Sequence, residues 1–192
     1  MPPKCKFTRE EIIQSALEIA KSEGIASITA RALGAKLGSS SKPIFSVFEN
    51  MEEVQAEVQK AAKALYAEYV QIGLQQELPF KGVGTQYILF AIKEPKLFQL
   101  LFMSEQVQKP SVAGVLLIID ESYEQILLSV QKGYGLDEKD AEHLYRHLWI
   151  YTHGIAVLCA TNMCSFTAEE ISKMMTEVFV SLLKEIKGSK TE

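Results

Sequence analysis

Residues 29–54 read TARALGAKLGSSSKPIFSVFENMEEV and decide how the rest of the chain is interpreted. Thr29 is a good N-cap for a short helix with inward-facing apolar residues, and Gly38 supplies the turn that ends this helix. Ser40 is the expected N-cap of a second short helix, which ends at Phe48. Two short helices joined by a glycine-containing turn are the plan of a helix-turn-helix, whose second helix enters the major groove of DNA.

Start and stop signals for helices also lie on both sides of this stretch. Before it, Thr8 and Glu11 have the spacing of a capping box, and the helix that they open is expected to end at Gly24. After it, Asn50 opens a long helix that runs toward Glu77. The first part of the chain is therefore predicted to be a small three-helix unit.

The remaining residues predict helices and no strand-like alternation. Pro79 and residues 82–84 are expected to separate the long helix from another centred on residues 87–92. Pro95 begins the next helix, and a single apolar helix is expected over residues 110–131.

The last two helices are predicted over residues 137–162 and 167–187, and both carry apolar residues on more than one face. A helix that is apolar on two sides must bury both, so the second side implies a partner chain. The predicted fold is all-α. An N-terminal three-helix helix-turn-helix domain would occupy residues 1–50, and a C-terminal helical ligand-binding and dimerisation domain would occupy residues 51–192.

Charge is distributed unevenly along the chain. Residues 1–50 contain seven Lys or Arg and five Glu, which gives a charge of +2. Because the whole chain has a net charge of −4, residues 51–192 carry −6. A mildly basic first part on an acidic body suits DNA contact made only by the first part, because phosphate neutralisation is local.

Composition predicts a cytoplasmic protein without a membrane partner. The N-terminus has no apolar core of a signal peptide, residues 1–6 read as a basic arm, and the apolar run over residues 112–119 is too short to span a bilayer. Cys5, Cys159 and Cys164 form an odd set without metal-ligand spacing, which indicates reduced thiols.

The first fifty residues resemble the TetR family of bacterial transcriptional regulators. The likeness lies in a run of threonine, arginine, a glycine turn, serine, phenylalanine and an acidic pair, at Thr29, Arg31, Gly38, Ser40, Phe48, Glu52 and Glu53. A shorter likeness lies in WIYTHG, residues 149–154, which is similar to the Trp, three variable residues, His-Gly signature of one C-terminal TetR subclass.

This resemblance implies a ligand-responsive regulator, most simply a repressor that binds a palindromic double-stranded operator as a dimer. The last two helices would form the homodimer, and an unknown small, mostly apolar effector would release the DNA. The residues expected to contact DNA are Thr29, Arg31, Ser39, Ser40, Ser41, Lys42, Pro43, Phe45 and Ser46.

Three positions depart from what is frequent in the family. Phe45 stands in place of a tyrosine whose hydroxyl reaches a phosphate, Val47 in place of a histidine, and Met51 in place of a lysine. Fewer phosphate contacts release fewer counterions, so operator affinity is expected to depend less steeply on salt.

Large apolar and aromatic residues of the body are expected to line an effector cavity between the helix after Asn50 and the helix that holds Trp149. The residues expected to bind the ligand are Tyr87, Phe90, Phe102, Met103, Tyr123, Trp149 and His153. His153 is also compatible with a hydrogen-bonded histidine of the core, and Gly154 with the close approach of another helix or of the indole.

Other patterns leave alternatives open. The cations Arg31, Lys36 and Lys42 could be solvated surface charges, and residues 39–41 could serve only as caps. His143 and His147 have the spacing of a metal-chelating pair but also that of a surface pair.

Cys159 and Cys164 could sense oxidants or simply fill space. No catalytic residue, metal or cofactor is expected, because the sequence contains no Ser/His/Asp set, catalytic carboxylate pair or phosphate loop. An all-α enzyme and a helical adaptor that weakened or lost DNA binding are the competing classes.

Overall fold

The computed structural model describes residues 6–104, 110–119 and 121–189, which form nine α-helices, two short 3₁₀ helices and no strand. The 3₁₀ helices are Ile25–Ser27 and Ile44–Ser46. The α-helices are α1 (Arg9–Glu23), α2 (Ala30–Lys36), α3 (Met51–Leu74), α4 (Pro79–Lys93), α5 (Pro95–Phe102), α6 (Val112–Ile119), α7 (Tyr123–Tyr134), α8 (Glu138–Ala160) and α9 (Ala168–Gly188). The all-α prediction is confirmed. Within the described ranges, no helix combines the length and the apolar character needed to cross a membrane.

The chain divides into two compact units. The first contains the described residues within Met1–Leu65 and Glu94–Ser104, and the second contains those within Tyr66–Lys93 and Glu105–Glu192. α3 therefore contributes residues to both units. The functional division at residue 50 stays a prediction. Most of the predicted basic arm, with Cys5, lies outside the described residues.

Local capping chemistry sets the helix ends of the first unit as predicted. Thr8 and Glu11 form the full capping box of α1, and the Thr29 hydroxyl accepts the Ala32 N–H at 3.1 Å at the start of α2. The buried core of this unit includes Ile12, Ala16, Ile28, Leu33, Ile44, Phe48, Val54, Val58, Leu97 and Phe98.

The predicted second helix of the helix-turn-helix, from Ser40 to Phe48, is wrong in type and extent. Residues 42–43 form a turn, and only Ile44–Ser46 are helical, as a 3₁₀ helix whose capping position is Pro43 and not Ser40. The reason lies in the local backbone bonds: the Ser39 N–H donates back to Gly34 of α2, and the Ile44 N–H donates to the Ser41 carbonyl oxygen in the i→i−3 pattern of a 3₁₀ turn.

In the second unit, α8 packs against α4, α7 and α9. Residues 82–84 do not separate two helices as predicted, since α4 begins at Pro79 and includes them. A Cβ on Gly82 would overlap the Gly73 carbonyl oxygen, so these glycines let α4 touch α3 at the backbone. Close helix contact, and not a loop, explains the glycines.

The single helix predicted over residues 110–131 is also wrong, because α6 and α7 occupy this range separately. The polar residues Glu121 and Ser122 precede α7, and the Tyr123 hydroxyl then donates to Glu142 of α8 at 3.0 Å. The bounds of α8 and α9 agree with prediction. Their caps are side-chain oxygens of Asp137 and Thr167, which accept backbone N–H groups.

Candidate functional site

The residues predicted to contact DNA keep their side chains at the surface of the first unit. Thr29, Arg31, Ser40, Lys42, Phe45 and Ser46 are exposed, and Ser39, Ser41 and Pro43 are half-buried. Between them lie buried anchors: Leu33 and Ile44 are fully buried and Phe48 is 2% exposed. Buried apolar side chains thus support residues 29–46, here called the segment, while the polar side chains of the segment face solvent.

Backbone contact with Gly34 of α2 fixes the part of the segment that follows Gly38. The Ser39 N–H donates to the Gly34 carbonyl oxygen at 2.9 Å, and Gly38 makes the preceding turn with φ of 61°. A Cβ on Gly34 would lie 3.1 Å from the Ser40 carbonyl carbon, which is tighter than ordinary van der Waals contact. Sequence reasoning missed Gly34, although a glycine inside a short helix was an available signal.

The hydroxyl groups of Ser39 and Ser46 have partners within the protein. Lys6 Nζ donates to Ser39 Oγ at 3.2 Å, and Ser46 Oγ donates to the Pro43 carbonyl oxygen at 2.6 Å. A hydroxyl oxygen has two lone pairs and one proton, so the bond from Lys6 leaves the Ser39 hydroxyl able to donate.

The segment is also a local region of positive charge. Residues 29–46 contain Arg31, Lys36 and Lys42 and no Asp or Glu. Lys36 Nζ pairs with Glu18 Oε2 at 2.7 Å, and this lysine lowers the pKa of the Glu18 carboxyl. Arg31 and Lys42 have no ion-pair partner in the part of the chain that the structure describes, so they are the cations most available to phosphate.

Arg9 links α1 to the end of the segment and to α3. Its guanidinium carbon lies 4.3 Å from the centroid of the Phe48 ring, and Nη2 lies 2.8 Å from Glu53 Oε1. Glu53 Oε2 also accepts the Glu49 N–H at 2.7 Å, and these bonds lower the pKa of the Glu53 carboxyl, the backbone N–H having the larger effect. Sequence reasoning missed Arg9, because its partners lie about forty residues away in the chain.

The second unit contains a cavity of about 230 Å³ bordered by side chains of α4, α7, α8 and α9. Tyr66, near the middle of α3, and Leu78, just before α4, complete the wall. Most of the lining is apolar, and its rings are Tyr66, Phe80, Tyr87, Tyr134, Tyr145, Trp149 and Phe179. A mostly apolar lining with a few polar groups is a common feature of small-molecule cavities in proteins.

Two of the residues predicted to bind the ligand, Tyr87 and Trp149, line this cavity, and His153 connects them. The Tyr87 hydroxyl lies 2.9 Å from His153 Nδ1, and the His153 ring stacks on the indole with centroids 5.1 Å apart. Burial lowers the pKa of His153, which favours the neutral imidazole. The histidine thus has the partners of a core residue.

The other predicted ligand residues lie elsewhere. Phe90 is fully buried in the core of the second unit, and Phe102 and Met103 belong to the first unit. Tyr123 does not line the cavity, and burial together with its bond to Glu142 raises the pKa of its phenol to about 12.

The indole N–H of Trp149 is buried and has no hydrogen-bond acceptor among the described residues. An unsatisfied buried donor costs about 1–3 kcal/mol. Trp149 is also the only tryptophan of the chain. The indole that borders the cavity therefore has a buried N–H donor without an acceptor among the described residues.

Sequence reasoning missed most of the wall. Tyr145, Thr152, Met175 and Phe179 line the cavity but were not predicted to do so. Their helical spacing marks them as inward-facing, and no local signal distinguishes an inward residue beside a void from one in the packed core.

The histidine pair and the cysteines do not build a site in the described residues. The rings of His143 and His147 lie 4.4 Å apart, but no group of three or more His, Cys, Asp or Glu in the described ranges is placed to hold a metal ion. Burial raises the pKa of the Cys159 thiol, which disfavours the reactive thiolate, and Cys164 is exposed.

Comparisons with known proteins agree with this arrangement. Residues 80–182 match a family model described as tetracyclin repressor-like, C-terminal domain, and this range contains nearly all of the cavity wall. The uncharacterized HTH-type transcriptional regulator YobS of Bacillus subtilis (strain 168) is 23% identical over 177 residues, which cover 88% of this chain and 87% of that relative. Since the family model spans more than half of the 192 residues, the chain belongs to the TetR family and is a transcriptional regulator of that kind.

Proposed function

We propose that this protein is a repressor that binds a palindromic DNA operator as a homodimer and leaves it when a small, mostly apolar effector fills the cavity of the second unit. Family membership supports the class of function. The observation that carries the proposal is the exposed, acid-free segment 29–46, held from beneath by Leu33, Ile44 and Phe48.

The DNA-binding surface would consist of residues 39–46 in the major groove, with Arg31 and Lys42 at phosphates. Arginine and lysine supply the salt-dependent part of affinity, and serine hydroxyls can donate to or accept from base edges and phosphates. Because residues 44–46 form one short 3₁₀ turn, base contacts would come from a few side chains rather than from the length of a helix.

Dimerisation through α8 and α9 is supported by apolar side chains that the single chain leaves exposed. Ile150 of α8 is 48% exposed and Val180 of α9 is 54% exposed, and a Cβ on Gly154 would meet no atom within 4 Å. Two such helices from each chain would form a four-helix interface about a twofold axis. Twofold symmetry would then require a palindromic operator with half-sites about 34 Å apart, or a multiple of this distance.

Release would follow from differential affinity. An effector that binds the DNA-free conformation of the dimer more tightly than the DNA-bound one shifts the population toward release, and DNA weakens effector binding by the same factor.

A gel-shift titration with DNA from upstream of the protein's own gene tests the DNA-binding surface. The double variant Arg31→Ala with Lys42→Ala is expected to weaken the shift by tenfold or more, because two phosphate contacts are lost. Lys132→Ala with Lys139→Ala removes two exposed lysines from the second unit and is the control. An unchanged shift in the first variant would contradict the assigned surface.

A helical dimeric adaptor or sensor with weakened or lost DNA binding is the second candidate. The observation in its favour is Phe45, which exposes 47% of its surface but has no hydroxyl to offer a phosphate. Phe45→Tyr is expected to strengthen the gel shift. A wild-type protein that sediments as a dimer but shifts no upstream fragment would favour the adaptor.

A further inference from the structure

Aromatic rings in contact with one another make up much of the cavity wall. The ring centroid of Phe80 lies 5.7 Å from that of Tyr145, in an edge-to-face arrangement, and 6.4 Å from that of Tyr134. The centroids of Tyr134 and Phe179 lie 4.8 Å apart. Ring pairs gain from offset or edge-to-face geometry beyond the area that they bury. A guest with a ring of its own can extend this cluster, so the wall favours an aromatic body over a flexible chain.

The size of the cavity limits that body. A volume of about 230 Å³ lies below the range of about 300–1,000 Å³ that is usual for drug-sized ligands. One ring with a compact substituent is therefore a better match than a fused multi-ring molecule.

The charge of the lining residues selects the head group. Among the described residues that line the cavity, Lys81 of α4 is the charged one, and none is Asp or Glu. Lys81 is exposed and has no ion-pair partner among the described residues, and the first turn of α4 contains no acidic residue. An aromatic wall can also hold a cation by cation–π attraction, but a cation here would meet the like charge of Lys81.

We propose that the cavity takes a small molecule with one aromatic ring and a single carboxylate, with the ring among the aromatic side chains and the carboxylate at Lys81. This inference rests on the proposed ligand-responsive function and specifies the chemical class of the effector. The carboxylate stays hydrated at the edge of the cavity, so the ligand buries its ring without burying its charge.

Three probes with the same apolar body separate the contribution of the head group. Para-tert-butylbenzoate carries a negative charge, para-tert-butylbenzamide is neutral, and para-tert-butylbenzylamine is a cation at pH 7. Each is titrated into the full-length protein without DNA, and the emission of Trp149 reports occupancy because Trp149 lines the cavity and is the only tryptophan. The benzoate is expected to bind about two- to fivefold more tightly than the benzamide, the range typical of one exposed ion pair. The benzylamine is expected to bind about four- to twenty-fivefold more weakly than the benzoate, because the like charge of Lys81 opposes it by a similar amount.

Matched variants locate the charge preference. Lys81→Gln is expected to reduce benzoate affinity to the level of the benzamide and to leave benzamide affinity unchanged. Lys93→Gln is the control, since Lys93 is an exposed lysine of the same helix that does not line the cavity. Its expected effect on all three probes is none.

Several results would overturn the inference: benzylamine binding as tight as benzoate binding, a benzoate preference that survives Lys81→Gln, or no emission change with any probe. None of these depends on DNA. A normal operator shift with a failed titration would remove only the ligand class, and a failed shift with a successful titration would remove only the proposed DNA-binding function.

Discussion

The segment at residues 29–46 and the cavity of the second unit place their functional side chains in opposite ways. The segment puts short polar side chains on the surface and fixes them with buried apolar anchors and backbone contacts beneath. The cavity is bounded by long helices that leave space between large rings. A surface for a charged polymer needs a rigid support, whereas a cavity for a small molecule needs helices that pack closely in one place and remain apart in another.

Within the segment, two phenylalanines three positions apart provide the strongest test. Phe48 is 2% exposed and Phe45 is 47% exposed. Phe48→Ala is expected to lower the free energy of unfolding by about 3–5 kcal/mol, because it leaves a cavity beneath the segment. Phe45→Ala is expected to change it by no more than about 0.5 kcal/mol, as for most surface positions. Urea unfolding measures both changes in the free energy of unfolding. Equal losses in the two variants would contradict the assignment of Phe48 as a buried anchor of the segment.

Two glycines test the helices that bound the cavity. Gly82→Ala is expected to destabilise the protein by about 1–3 kcal/mol, because the added Cβ overlaps the Gly73 carbonyl oxygen and forces α3 and α4 apart. Gly133→Ala in α7 is expected to stabilise the protein by up to about 1 kcal/mol, because nothing lies within 4 Å of its Cβ and alanine favours a helix. The melting temperatures of the two variants should therefore move in opposite directions, and a shared direction would contradict the close contact at Gly82.

Acid sensitivity should also differ between the two regions, because Glu53 supports the segment whereas the described residues of the cavity wall include no Asp or Glu. Its N–H and guanidinium partners hold the pKa of Glu53 below 4.5, its ordinary value. This contribution to stability is present above the pKa of the unfolded state and is lost as the pH falls through the lower folded-state pKa. Glu53→Gln is therefore expected to flatten the loss of stability below about pH 4.5. Urea unfolding at a series of pH values measures it, with the exposed neighbour variant Glu52→Gln as the control.

The smallest expected effect concerns the salt dependence of the segment. Met51→Lys is expected to steepen the slope of log affinity against log salt by about 0.9, the value for one added phosphate contact. Fluorescence anisotropy of labelled upstream DNA at several salt concentrations measures the slope. Met163→Lys makes the same change at an exposed methionine of the second unit, and an equal steepening there would attribute the effect to net charge alone.

Local chemistry was sufficient to predict the starts of α1, α2 and α3, although the start predicted at Ser40 is wrong. Thr8, Thr29 and Asn50 each accept a backbone N–H at the start of the helix that they were predicted to open. A cap depends on residues within one turn of each other, so a single sequence contains all the information needed.

Predictions failed where the role of a residue depends on contacts with residues far away in the sequence, or on where the packed core leaves a void. Gly82 was predicted to break a helix because its partner, Gly73, lies in a different helix, and no role was predicted for Arg9 because Glu53 is far away in the sequence. The cavity wall was predicted only at Tyr87 and Trp149, since periodicity tells which residues point inward but not where the packed side chains leave a void.

The tie between the Ser39 N–H and the Gly34 carbonyl oxygen has a consequence for how this protein can diversify. Main-chain atoms make that contact, so the identities of the side chains at residues 39–41 are not part of it. If residues 39–41 contact base edges as proposed, exchanging them would change the target sequence and leave this backbone contact in place, provided that position 34 keeps its glycine.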